Sequence, residues 1–318
     1  MDPAKPGSSD EALAKIGGVL AEAEQALNTD RKLASSIKQA GNVVLPMVFQ
    51  QLTEPQGNPD KPLPAYVSAN SLALAGAGDQ LPPPGILPIY PIAELGAAQP
   101  GIGHLNADHD VDGAVRAEPL LVRYYDRLFP ALSLQVAARS LNLGVADLKP
   151  VWGEALQVGK LRVRTDAELR MHTFFYADRD GRPPFPVDSF FDVISGKVPV
   201  AKYQDKIVLI GATAAGLGTA QVTPASPATA PVMTLAHAIS SILGEHFFIT
   251  PSWGIWVQAG VFLLVALYLI IVLPHLKAGV AAVVSLGIGA LLLGTHFGLM
   301  VTQLMWIQLM GSMALLAV

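Results

Sequence analysis

The chain has 318 residues, of which 51% are hydrophobic and only 14% charged, with a formal net charge of −4. No lysine- or arginine-rich cluster is present, which excludes a nucleic-acid surface, because phosphate binding needs concentrated positive charge. The absence of cysteine excludes disulfides, thiol nucleophiles and thiolate zinc sites.

The apolar excess lies after Trp253, so the composition predicts a soluble part followed by a membrane part. The opening residues, MDPAKPGSSDEALAKIGG, show no basic region with an apolar core and no small-residue cleavage site, and therefore no signal peptide. Asp10 is placed to cap a helix over residues 11–27, where Leu13, Ile16, Leu20, Ala23 and Leu27 recur at three- and four-residue spacing. Asn28-Thr29-Asp30 interrupts it, and a second helix from Arg31 carries Leu33, Ile37 and Ala40 up to Gly41, a C-terminal cap. Residues 42–49 read as a strand whose ladder is limited by Pro46. Residues 53–64 and 81–91 are proline-rich surface loops. Residues 66–75 between them fit a short strand or a helix equally.

Asp112-Gly113 between β-compatible runs predicts a hairpin, since glycine supplies the positive φ such a turn needs. Asp108-x-Asp110-x-Asp112-Gly113 also copies the first half of a calcium loop, but the twelfth position is Pro119 and Glu118 falls one residue early, so a solvated turn is expected. His104, His109, Asp110 and Asp112 have metal-ligand side chains, yet alternate residues of a strand face opposite sides and do not converge. Residues 130–141 have helical spacing, and residues 151–163 and 169–176 read as strands.

Lys206 precedes Ile207-Val208-Leu209-Ile210, a β-branched apolar run that suits a strand buried on both faces. The glycine loop 211–218 follows at its carboxyl end, the edge where open α/β sheets bind ligands. It is not GxGxxG, has no Lys-Ser/Thr pair, and no acidic residue lies about twenty positions on to hold a ribose, so no nucleotide cofactor is expected. Ser189, Asp188 and His237 include triad residue types, but no GxSxG elbow is present and no catalytic residue is expected. A loop over 224–231 leads to an amphipathic helix at 234–247 with Ile239, Ile242 and Leu243 on one side.

Residues 254–273 and 278–297 are uncharged and long enough to span a bilayer, with Trp253 and Trp256 at an interface. A third span opens near Trp306 and is still apolar at Val318, so the chain is expected to continue. Lys277 is the only formal charge after Glu245, which places the loop between the first two spans in the cytoplasm and the soluble part outside. His296 lies at the end of its span, where a hydrated interfacial position is expected.

Three motifs in this order, GHLNADHDVDGAVRAEPLLV (103–122), FPALSLQVAA (129–138) and FPVDSFFDVISGKVPVAKYQDKIVLIGATAAGLGT (185–219), resemble the second class of CHASE domains, the cyclase and histidine-kinase associated sensory extracellular modules of bacterial receptors. Membrane spans directly after the domain are similar to that family too. The resemblance covers about residues 30–318. It implies an α/β sensor domain with a mixed sheet at 30–252, preceded by a helical segment at 1–29 and followed by transmembrane helices at 253–318. In such receptors an N-terminal span exports the sensor; that span and the opening strands are lacking here, so Met1 is not expected to be the natural start of the module. Thr219 stands where an acidic residue is common in the family.

The resemblance further implies an inner-membrane protein with a periplasmic sensor, dimeric, responding to a small ligand or physical stimulus. The output would be cytoplasmic and in the same chain, a serine/threonine kinase first, a cyclase or histidine kinase next. Gly211, Ala212, Thr213, Gly216 and Gly218, with Asp112 and Arg116, are the candidate ligand contacts. Two alternatives are a membrane-tethered nucleotide-binding α/β enzyme and a non-catalytic membrane scaffold that binds a partner protein.

Overall fold

The computed structural model describes residues 7–59, 61–76, 81–178, 180, 183–214, 219–251 and 253–317. Two helices open it, α1 (Gly7–Leu27) and α2 (Thr29–Ala40). Asn28 caps α2, its side-chain oxygen accepting the Arg31 N–H at 2.9 Å, and Gly41 closes it at φ 69°. The stripe Leu13, Ile16, Leu20 and Leu27 has the predicted spacing, but it is exposed rather than packed.

The next elements are β1 (Val44–Gln51), the one-turn α3 (Ala65–Ser68), β2 (Leu72–Ala73), β3 (Ile86–Ile89), the one-turn α4 (Ala93–Gly96) and β4 (Gly101–His104). The ambiguous stretch at 66–75 is thus a helical turn and then a short strand. β1 is central in a mixed sheet, antiparallel to β3 and parallel to β4. Pro46 is tolerated in it opposite Gly103.

The chain continues through β5 (Ala117–Pro119), β6 (Leu121–Tyr124), β7 (Arg127–Pro130) and α5 (Leu132–Ser140), then β8 (Leu148–Val151), β9 (Ala155–Val158) and β10 (Leu161–Arg164). β6 and β7 pair as a hairpin, and β8, β9 and β10 form an antiparallel meander. After β11 (Arg170–Thr173) come α6 (Phe190–Ile194), β12 (Gln221–Thr223), β13 (Ser226–Thr229), α7 (Pro231–Gly244) and β14 (Phe247–Phe248). β11 pairs antiparallel with both β5 and β14.

The larger core cluster joins α5, α7 and the surrounding strands, with Leu120, Leu121, Leu128, Leu134, Leu156, Met171 and Ile242 fully buried. Apolar burial on this scale supplies most of the folding free energy. A smaller cluster around Phe49, Ile102 and Phe129 backs the mixed sheet. α5 lies directly on β4: a Cβ at Gly103 would come within 2.6 Å of the Leu132 Cα, so only glycine permits this approach.

Four expectations are overturned, the first being the loop at 81–91, where Ile86–Ile89 pairs antiparallel with β1. Residues 207–210 form no ladder with any described residue, and Ile207, Val208 and Ile210 are 42%, 50% and 78% exposed. A β-branched apolar run selects extended backbone but does not by itself supply neighbouring strands. The turn at Asp112-Gly113 exists, with the Gly113 N–H donating to the Asp110 carbonyl at 2.8 Å. It is not a hairpin, because the flanking β4 and β5 belong to different sheets. Finally, residues 224–231 are not simply a loop, since β12 and β13 pair antiparallel there.

The chain ends in α8 (Gly254–Leu267), α9 (Ala278–Gln303) and α10 (Met310–Ala317). Two helical stretches, Gly254–His275 and Ala278–Gln303, are long and apolar enough to cross a membrane, and almost none of either is buried by the protein. The result is a mixed α/β domain followed by apolar helices.

Candidate functional site

The predicted ligand contacts fall on two segments that the tertiary structure joins. Val115 N–H donates to the Val222 carbonyl at 2.8 Å, and Ala114 bridges Val222 in parallel. This sets the 108–116 turn beside β12, the strand that follows the glycine loop. Gly211, Ala212 and Thr213 lie on an exposed segment leading toward that loop; Gly216 and Gly218 lie outside the described residues. At Gly211 a Cβ would be 2.7 Å from the Val232 Cβ, so the missing side chain lets this segment touch the first turn of α7. The buried Oε1 of Gln221 on β12 and Oγ1 of Thr234 in the first turn of α7 have no hydrogen-bond partner among the described residues.

Asp112 and Arg116 are brought together with each other rather than left open. The Arg116 guanidinium donates to both carboxylate oxygens of Asp112, at 2.9 and 2.7 Å, and also to Asp110. That hydrogen bond, helped by the Ala114 N–H, holds the Asp112 carboxyl well below the usual range. A second arginine, Arg170 of β11, reaches Asp108 at 2.8 Å, Asp166 at 2.8 Å and Glu168 at 3.3 Å. Two guanidinium groups therefore take up the carboxylates of the Asp108-x-Asp110-x-Asp112 motif and tie the turn to β11. Among the described residues no group of three His, Asp or Glu is placed to hold a metal ion.

Arg170 escaped the sequence reading, although Asp166 and Arg170 stand four apart and were a signal for a local ion pair. The other chemistry-bearing residues are separated. His104 is 1% exposed, whereas His109 is exposed. Asp188 is engaged by Lys202 at 2.7 Å and Tyr203 at 2.8 Å, and the lysine lowers its pKa. His237, buried on α7, accepts the Tyr176 N–H and stacks on the Tyr176 ring, and burial lowers its pKa.

The junction with the apolar helices is also bonded. Ile249, just after β14, donates its N–H to the Leu304 carbonyl at 2.7 Å and accepts the Trp306 N–H at 2.9 Å. The Trp306 ring meets His172 of β11 edge-on, and His296 Nδ1 lies 3.0 Å from the Ile307 carbonyl. The segment joining α9 to α10 thus adds to the edge of the β5–β11–β14 sheet.

No curated protein and no solved structure matches the chain significantly. The CHASE2 domain family matches residues 9–273, which include the core clusters, the 108–116 turn and the glycine segment. CHASE2 domains are extracellular, non-catalytic sensory domains of signalling receptors, and this chain belongs to the CHASE2 family.

Proposed function

We propose that this chain receives a stimulus outside the inner membrane of a bacterium and passes it through its apolar helices to a cytoplasmic output in the same protein, a serine/threonine kinase. The choice of kinase over cyclase or histidine kinase rests on family resemblance. The observation that carries the coupling is the Ile249 junction. One backbone position, covalently continuous with β14 and α8, is hydrogen-bonded to the segment that links α9 and α10. A shift of the β5–β11–β14 sheet would displace the start of the first span and the end of the second together. For a ligand to drive that shift it must bind the two packings with different affinity.

The same junction supports the orientation. Residues before the first span and after the second meet at Ile249, so the Lys277 turn lies at the opposite end of the helical pair, and the positive-inside rule assigns that end to the cytoplasm. The ligand-facing edge in this reading is the glycine segment at Gly211, Ala212, Thr213, Gly216 and Gly218 with the Asp112–Arg116 clamp beside it, and the working unit is a homodimer. Residues 207–210, buried in the sequence reading, instead border this edge as open surface.

The test uses the absence of native cysteine. In intact cells with a permeable outer membrane, Asp112→Cys should react with an impermeant maleimide; labelling only after the inner membrane is opened would overturn the orientation. The double variant Ile249→Cys/Met305→Cys should form a disulfide and lock output in one state. Unchanged responsiveness in the cross-linked protein would overturn the coupling route.

A further inference from the structure

A cavity of about 340 Å3 lies between the end of α2, the second half of α5 and the loop after it, lined by Asn42, Gln135, Arg139, Asn142 and Gly144 among others. It is separate from the 108–116 turn and the glycine segment. Its one charged wall is Arg139, half-buried in the last turn of α5. Arg139 makes no hydrogen bond or ion pair with any described residue. Most of the other described arginines find an acceptor: Arg116, Arg123, Arg162 and Arg170 reach carboxylates and Arg127 reaches the Ser68 carbonyl. Arg164 is exposed on β10.

The guanidinium is held in place by the shape of its surroundings. A Cβ at Gly101 would lie 2.5 Å from the Arg139 Nε, so the side chain rests on bare β4 backbone. Beside it Gln135, 1% exposed, donates Nε2 to the Ile102 carbonyl at 3.0 Å and fixes the neighbouring wall. Nor is Arg139 needed to cap its helix. The Asn142 N–H donates to the Arg139 carbonyl and the Leu143 N–H to that of Ala138, so chain atoms already close the α5 terminus. A positioned, partly desolvated fork of donors without an acceptor is a receptor for a planar oxyanion. Among the described residues no acidic side chain lines the cavity to compete for it.

We propose that this cavity binds a small hydroxycarboxylate, its carboxylate taken by Arg139 and its hydroxyl by the side-chain amides of Asn42 and Asn142. The volume is at the small end of ligand pockets and leaves room for a small hydroxycarboxylate with solvent. The amides can both donate to and accept from a hydroxyl, which a guanidinium cannot do. This places a second ligand site on the α2–α5 side of the sensor, independent of the glycine segment.

Calorimetric titration of the full chain in detergent with lactate, acetate and inorganic phosphate tests the proposal. Lactate should bind saturably, and acetate about tenfold more weakly because the hydroxyl contact is lost. Arg139→Gln should abolish lactate binding, while Arg164→Gln, the same loss of charge on an exposed strand, should leave it unchanged. No saturable lactate binding, or equal loss in both variants, would overturn the site. Phosphate binding as tightly as lactate would overturn the hydroxycarboxylate assignment in favour of a general oxyanion site. If circular dichroism finds Arg139→Gln unfolded, Asn42→Ala decides. It should weaken lactate but not acetate, and an equal effect on both would refute the hydroxyl contact.

Discussion

His104 is buried and Glu118 half-buried in the sensor, and pH acts on them in opposite directions. The His104 Nδ1 accepts the Asn106 N–H, so the neutral ring carries its proton on Nε2, which is buried without a partner among the described residues. Burial pushes its pKa down to about 3. An unfolded chain therefore takes up a proton below the ordinary value of 6.5 that the native state refuses, and stability falls as pH drops from there. Burial pushes Glu118 up to about 7, against the opposing Ser133 hydrogen bond. The native state holds this proton longer than the unfolded chain, so its contribution is complete below 4.5 and is lost as pH rises to about 7. In urea titrations at about pH 5 and about pH 8 the wild type should lose on the order of 1–3 kcal/mol relative to Glu118→Gln between the two, the opposing His104 contribution being common to both proteins. An identical slope in both proteins would exclude Glu118 as the cause. A steric prediction belongs to the same scale. In Gly103→Ala the new methyl meets backbone atoms of Leu132 and Ala131 within 2.9 Å, which cannot rotate away, so a loss of roughly 1–3 kcal/mol is expected in a thermal melt. At Gly17, with nothing within 4 Å, alanine should instead favour α1 by up to about 1 kcal/mol.

At the scale of elements, residues 207–210 separate strand propensity from strand pairing. Its side chains are exposed, so Val208→Lys should change stability by no more than about 0.5 kcal/mol. Leu134→Ala in α5, at 0% exposure, should cost about 2–5 kcal/mol. Equal costs in chemical denaturation would mean that Val208 is packed in solution. An exposed apolar run without a ladder also invites association between chains, and Val208→Lys should raise the concentration at which the protein first aggregates in a light-scattering titration. The two opening helices show the same separation. The 3.6-residue period of α1 and the Asn28 and Gly41 caps of α2 are local chemistry and were legible, whereas nothing in them says what the exposed stripe of α1 packs against.

For the whole molecule, the decisive relation is between the sheet and the apolar helices. α7 packs in the core, β14 joins it to β11, and Ile249 carries the connection into Leu304–Trp306. Two long apolar helices whose ends return to one point form a re-entering pair rather than a chain of independent anchors. The core clusters and the candidate ligand edge belong to the sensor side of that pair. The Arg139 cavity lies on the opposite flank of α5 from the Ser133–Glu118 contact, so two regions of the sensor can be probed separately.

The amino-acid pattern by itself determined the division into an α/β domain and apolar helices, the helices with their caps, and the ordered motifs that mark the family, because periodicity, capping and hydropathy are local properties of a chain. It also marked Asp112, Arg116 and the glycine loop as chemically distinct. Only the tertiary structure decided that Asp112 and Arg116 neutralise each other, that the glycine segment meets Val232, and that Arg139 is left without an acceptor among the described residues. It alone decided that Ile207, Val208 and Ile210 lie open and that Trp306 returns to the sensor. Each of these depends on which distant residues become neighbours, Arg170 with Asp108, Gly101 with Arg139, Ile249 with Leu304, and contacts across such sequence separations leave no periodic trace in the chain.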